Sequence, residues 1–100
     1  MYLISYDIEN DRLRGRISKL LLRWGLHRVQ YSVFMGTIGK ESLLKLRKEL
    51  DIYQRNRDWA PSDSILIVPI HQSHIKNIQA IGEWPNRWEE IKGAVNTLMI

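Results

Sequence analysis

The chain has 100 residues, 44% of them hydrophobic and nine aromatic, enough for one domain with a packed core that pairing with a second copy would enlarge. It contains no cysteine, which excludes a disulfide framework, a thiolate zinc site and a cysteine nucleophile. The net charge of +4 is unevenly spread: Arg12 to Lys40 holds seven Lys or Arg residues and no acid, whereas Glu83 to Ile100 holds three acids against two bases. A basic segment concentrated in one half points to a polyanion, most often nucleic acid, with a solvated helix face as the alternative. The chain opens on the strand-like MYLISYDI, without a leader pattern, and no apolar run approaches membrane-spanning length, so a cytoplasmic protein with no membrane partner is expected.

In YLISYDI, the apolar Tyr2, Ile4, Tyr6 and Ile8 alternate with Leu3, Ser5 and Asp7, the period of a strand with two different faces. Asp7 falls on the less apolar face near the strand's end. Leu13, Ile17, Leu20, Leu21 and Trp24 then recur at helical spacing, with Asn10 as N-cap and Gly25 as stop. Residues 26–38 are extended, with a kink or tight turn at Tyr31-Ser32 between two short strands. Leu43, Leu46, Leu50 and Tyr53 share one face of a second helix. RDWAPSD reads as a loop, and SILIVPI as a buried strand whose Pro69 marks an edge or an end. NIQAIG reads as one more short strand, and the tail from Trp84 as a turn followed by a short helix.

Strand, helix, paired strands, helix, strand is the order of a ferredoxin-like βαββαβ sandwich, an α+β fold with both helices on one face of the sheet, here with an extra C-terminal strand. The expected division is a core over residues 1–82 and an extension over 83–100 within one domain. The other sheet face must meet water, a ligand or another copy, and Leu3 beside Ser5 makes pairing plausible.

Asp7 has two readings. It caps the helix or pairs with an arginine, or it joins a symmetry-related Asp7 to hold a hydrated Mg²⁺. Arg12, Arg16, Lys19 and Arg23 are spaced by four, three and four residues and form one helix stripe, while Arg14 lies at the margin of the apolar face. Like charges at this spacing repel by a few tenths of a kcal/mol per pair, roughly, an expense that a phosphate backbone would offset. Gly15 costs the helix roughly 1 kcal/mol and would admit a close approach of backbone. His71 and His74 alone are too weak a spacing for a metal site. Trp24, Trp59, Trp84 and Trp88 read as packing residues.

A strand ending in Tyr-Asp-Ile, an Arg-rich helix closed by Gly-Leu, and then Arg-Val-Gln-x-Ser-Val-Phe-x-Gly occur together within the first 36 residues. This combination resembles the N-terminal signature of the CRISPR-associated protein 2 family, the small subunit of the spacer-acquisition machinery. The resemblance implies a homodimer with facing sheets and a terminal strand that pairs with the partner. It also implies a second partner, the CRISPR-associated integrase (protein 1), bridged over duplex DNA. Some members are Mg²⁺- or Mn²⁺-dependent endonucleases on RNA or double-stranded DNA, while others serve a structural role.

Carried over by position, Asp7 matches the metal-binding aspartate and Tyr6 the aromatic before it. Arg14 and Arg16 match helix arginines implicated in cleavage, and Arg28 and Phe34 match two such positions in the second motif, with Ser32 the serine beside them. Arg12, Arg14, Arg16, Lys19, Arg23, Arg28 and Ser32 are the expected nucleic-acid contacts. The alternatives are a non-catalytic adaptor, with the same arginines clamping backbone, and a stand-alone ribonuclease toxin of similar fold.

Overall fold

The computed structural model describes residues 1–84. Its elements are β1 (Tyr2–Asp7), α1 (Asp11–Arg23), β2 (His27–Gln30), β3 (Val33–Gly36), α2 (Lys40–Gln54) and β4 (Ser64–Pro69), followed by a 3₁₀ turn at Gln72–Asn77. The strands form one antiparallel sheet in the order β2-β3-β1-β4, the split βαβ arrangement of a ferredoxin-like sandwich.

Each end of α1 is fixed by local chemistry. The Asn10 side chain accepts from the Leu13 N–H at 2.9 Å, satisfying one of the donors that a helix start leaves unpaired. At the other end Gly25 adopts φ 84°; its N–H reaches the Leu22 carbonyl at 3.0 Å, and the Leu26 N–H reaches that of Leu21 at 3.1 Å. This pair of bonds is a Schellman stop, which requires the left-handed conformation that glycine adopts freely.

The buried stripe of α1 (Leu13, Ile17, Leu20 and Leu21) and that of α2 (Leu46 and Leu50) pack over Ile4, Tyr6 and Phe34 of the sheet. Each such aliphatic side chain contributes about 1.5–3 kcal/mol on burial. Both helices therefore cover one sheet face, as the element order predicts. The α1 exit crosses β3 closely: a Cβ on Gly36 would lie 2.7 Å from the Leu26 Cδ2 and 3.3 Å from its Cα. Gly15 serves no such approach, since a Cβ there would meet nothing within 4 Å.

The opposite face is not left bare throughout. Met1, Val29, Met35 and Ile75 are buried there, with Leu3, Val33, Ile70, Ile78 and Trp84 packed against them. The 3₁₀ turn thus folds back over one end of the sheet, where a further short strand is expected from NIQAIG; residues 78–82 are not in a strand. The reason lies in the spacing: Ile78 and Ile81 of NIQAIG are three residues apart, not the strand period of two, and Ile81 is exposed while Ile78 packs beside Ile75 at the end of the 3₁₀ turn. The His71 side chain opens this turn by accepting from the Ser73 N–H at 3.1 Å. The expected helix of the tail and most of the 83–100 extension lie outside the described residues.

At the other end of this face Asp7 and Ser64 are cross-strand partners next to the Ser5–Leu66 pair, and Leu66 stays 61% exposed. Among the described residues β4 is an edge strand, ending at Pro69, which suits a residue with no N–H to donate. Among the described residues no helix is long and apolar enough to cross a membrane.

The two glycines predict opposite outcomes in denaturant unfolding. Gly36→Ala, overpacked against Leu26, should lose about 1–3 kcal/mol, whereas Gly15→Ala, in open space within a helix, should gain about 1 kcal/mol.

Candidate nucleic-acid interface

Tyr6 fastens the β2–β3 turn to the end of β1. Its N–H donates to the Ser32 carbonyl at 3.1 Å, and its hydroxyl donates to the Tyr31 carbonyl at 3.3 Å. Its ring stacks on Phe34 with centroids 6.1 Å apart. Phe34 is fully buried, and its cross-strand partner Arg28 lays its guanidinium over the ring, 5.1 Å from the centroid. A β-bulge interrupts β2 between Arg28 and Gln30. The extra residue, Val29, goes to the core of the opposite face, which leaves Arg28 on the helix-bearing face beside Phe34.

Arg28 and Arg14 line a groove of about 340 Å³ between α1 and this turn, together with Tyr6, Asp11, Gly15, Ser18 and Tyr31. The two arginines differ in how far their donors are committed. The Arg14 Nη1 donates to the Ile8 carbonyl at 2.8 Å and the Glu9 carbonyl at 3.5 Å. Its Nη2 donates to the Asp11 carboxylate, and its Nε to the Tyr31 hydroxyl at 3.1 Å. The Asp11 carboxylate first, and then the Tyr31 hydroxyl, raise the Arg14 pKa above its ordinary value, so this group is a permanent cation. With most of its five N–H groups engaged, Arg14 is a clasp that joins α1 to the end of β1 and to the turn. Arg28 is exposed, and its guanidinium is committed to no carboxylate among the described residues, in contrast to that of Arg14.

Asp7 stands on the other side of the sheet. The alternation of β1 buries Ile4 and Tyr6 under the helices and turns Ser5 and Asp7 to the opposite face, with Asp7 exposed. It does not cap α1, a role taken by Asn10. Its carboxylate joins no ion pair among the described residues. Mg²⁺ and Mn²⁺ favour hard oxygen ligands, and Mg²⁺ typically binds through one or two carboxylates while keeping several waters. Asp7 offers one such carboxylate, and no group of three or more His, Asp or Glu that could hold an ion occurs among the described residues. One protomer therefore fits half of such a site, and a two-fold copy of the same open face would supply the rest.

The remaining sequence-predicted residues divide by position. Arg12, Arg16, Lys19 and Arg23 are exposed along α1, and Arg16 lies toward α2 with its guanidinium 5.4 Å from the Tyr53 ring centroid. Ser32 sits in the turn and offers its carbonyl to Tyr6. The structure thus brings together Tyr6, Arg14, Arg28 and Phe34, with the buried Tyr6 and Phe34 acting as supports beneath Arg28. It sets Arg16 and the rest of the helix stripe apart from them, and Asp7 on the far face.

Sequence reasoning missed Tyr31 and Asp63. The Asp63 carboxylate accepts from the Glu9 N–H at 3.0 Å and the Ala60 N–H at 2.9 Å, tying the loop that follows Asp7 to the start of β4. The Asp in APSD signals the local bond to Ala60, but nothing local signals the bond to Glu9. Tyr31 was legible only as part of a turn.

Comparison with known proteins agrees with this architecture. Residues 1–78 match the family model described as CRISPR associated protein Cas2. The chain is 36% identical over 72 residues to a protein of Archaeoglobus fulgidus named CRISPR-associated endoribonuclease Cas2 1, covering 72% of each chain. It is 37% identical over 86 residues to the CRISPR-associated endoribonuclease Cas2 3 of Synechocystis sp., covering 85% of this chain and 87% of that one. Among solved structures, Streptococcus pyogenes Cas2 superposes with a TM-score of 0.66 at 20% identity, over 81% of this chain and 98% of the other. A hypothetical protein of Thermus thermophilus superposes with a TM-score of 0.64 at 28% identity, over 84% and 92%. With a family match across the whole sheet and both helices, and curated relatives similar over most of their length, the chain belongs to the CRISPR-associated Cas2 family.

Proposed function

We propose that this protein is a homodimeric nuclease subunit of CRISPR spacer acquisition, acting in the cytoplasm. In this reading it binds RNA or double-stranded DNA and cleaves phosphodiesters with Mg²⁺ or Mn²⁺ at a pair of Asp7 carboxylates. The observation that carries the reading is Asp7 itself, an exposed carboxylate without an ion-pair partner among the described residues, at the end of β1 where Arg14 and the Tyr31–Ser32 turn also converge. The name endoribonuclease borne by its relatives supports a hydrolytic role. The exposed Leu66 beside Asp7 supports closure of the open face by a second copy.

When bound, the divalent cation supplies Lewis acidity toward the phosphate and lowers the pKa of a coordinated water. The chain's own residues do the rest. The two Asp7 carboxylates hold the charge in place, Arg28 binds a neighbouring phosphate, and Arg14 keeps the strand end and the turn in register. Tyr6 and Phe34 form the rigid floor that holds Arg28 up. The exposed stripe of Arg12, Arg16, Lys19 and Arg23 extends the electrostatic footprint along the backbone of a longer nucleic acid.

A second reading is a non-catalytic adaptor that bridges copies of the CRISPR integrase on DNA. It is favoured by one observation, the placement of Asp7 and Arg28 on opposite faces of one protomer.

Cleavage of RNA and of duplex DNA, measured across a Mg²⁺ and Mn²⁺ titration, separates the two. The nuclease reading expects Asp7→Ala to lose activity by about a hundredfold or more, the scale of losing the group that activates a nucleophile. Binding in EDTA should stay intact or tighten, because a negative charge is removed. Equal cleavage by both proteins would assign the activity elsewhere, and metal-independent binding without cleavage by either would favour the adaptor. The salt dependence of binding tests the arginines: Arg28→Ala should lower the slope of log K against log salt by about 1, while Arg14→Ala should act mainly on folding stability.

A further inference from the structure

Tyr31 is 70% exposed, at the tip of the β2–β3 turn. A single exposed aromatic is ordinary on a protein surface, but this one is held at both ends. Its carbonyl accepts from the Tyr6 hydroxyl, and its own hydroxyl accepts from the Arg14 Nε. The Arg14 guanidinium lies 5.6 Å from the ring centroid, and so much exposure still leaves ring surface open to solvent. The ring is therefore oriented in advance, and a partner that stacks on it has little side-chain entropy left to remove.

What faces the ring narrows the partner. Tyr31 and Arg28 line the same groove as Asp11; the Asp11 carboxylate is paired with Arg14, and Arg28 meets no carboxylate among the described residues. An open aromatic surface beside an uncommitted guanidinium suits a group with both a flat π-system and a negative charge, which is the chemistry of a nucleotide. The groove's volume of about 340 Å³ is at the small end of the range for ligand pockets, room for one nucleotide unit. A base inside a duplex keeps its faces against its neighbours, so only an unstacked base can lie on Tyr31.

We infer that Tyr31 is a base-stacking residue, and that the groove receives one unpaired nucleotide, its base on the Tyr31 ring and its phosphate on Arg28. The inference rests on the nucleic-acid reading above and refines it: the preferred strand at this groove is single-stranded or locally opened. RNA and DNA share the stacking chemistry, so both are tested.

The experiment is binding in EDTA, without cleavage, of short single-stranded RNA and DNA oligonucleotides carrying 2-aminopurine, beside a duplex of the same sequence. Wild type should quench the 2-aminopurine on binding either single strand. Tyr31→Ala should abolish the quench and weaken single-strand binding by roughly five- to a hundredfold, with duplex affinity unchanged. Tyr31→Phe and Tyr31→Trp keep a ring but lose the hydroxyl that accepts from Arg14; they should keep the quench and lose far less single-strand affinity than Tyr31→Ala, and circular dichroism confirms that each variant is folded. If Tyr31→Ala weakened single strand and duplex alike, or neither, or if Tyr31→Phe fell as far as Tyr31→Ala, the stacking role would be refuted while the nucleic-acid reading stood. If wild type bound neither single strand nor duplex, the nucleic-acid reading itself would fail, and this inference with it. Quenching by the RNA strand alone would assign the groove to RNA, and by both strands to single-stranded nucleic acid in general.

Discussion

One buried side chain, Tyr6, sets the geometry on which the rest depends. Its N–H and hydroxyl bond two successive carbonyls of the β2–β3 turn, and its ring lies against Phe34. Buried polar groups are stabilising only when paired, and this arrangement pairs the Tyr6 hydroxyl while leaving the ring in the core. Three consequences follow from that fixed turn. Phe34 is locked beneath Arg28, Tyr31 projects from a turn that cannot swing away, and its hydroxyl comes within reach of Arg14. Because Arg14 also grips the carbonyls of Ile8 and Glu9, the end of β1, the start of α1 and the turn form one rigid corner.

That corner has two sides with different chemistry. On the helix-bearing side lie a committed arginine, an available one and an aromatic ring. On the other lies an acidic residue with serines and an exposed leucine around it. A phosphodiester-cleaving centre needs opposite charge to be brought together, cations for the phosphate and anions for a metal. A single protomer keeps them on separate faces. A two-fold dimer closed over the open face would set Asp7 against its copy and leave the Arg28 grooves outside the seam, so nucleic acid would have to reach around the strand end to touch both. The Asp63 carboxylate, which anchors the loop after Asp7 to β4, stiffens the path that such a strand would follow.

Periodicity made most of the fold legible. The alternation in YLISYDI separates the two faces, the spacing of Leu13, Ile17, Leu20 and Leu21 places α1, and Asn10 and Gly25 end it as their local chemistry requires. The Tyr31-Ser32 turn implies the hairpin that pairs Arg28 with Phe34. What escaped the sequence depends on contacts between distant positions or on spacing with two meanings. The Asp63 bond to Glu9 spans 54 residues. The bulge at Val29 looks like any other strand residue. NIQAIG, with Ile78 and Ile81 apolar, is short enough to suggest a strand, but Ile78 packs with the buried Ile75 of the preceding 3₁₀ turn against Met1 and Met35 and Ile81 is exposed. Arg14 and Arg28 look alike in sequence; the carbonyls that occupy one and spare the other come from a loop whose course no local pattern specifies.

The central claim is that cleavage needs one Asp7 from each of two protomers. Mixing differentially tagged wild-type and Asp7→Ala chains by co-expression at varied ratios, and measuring metal-dependent cleavage per total protein, tests it directly. A shared centre predicts that activity falls as the square of the wild-type fraction, because a mixed dimer holds a single carboxylate. Activity that fell in simple proportion to the wild-type fraction would mean that each protomer cuts by itself, and would contradict the account.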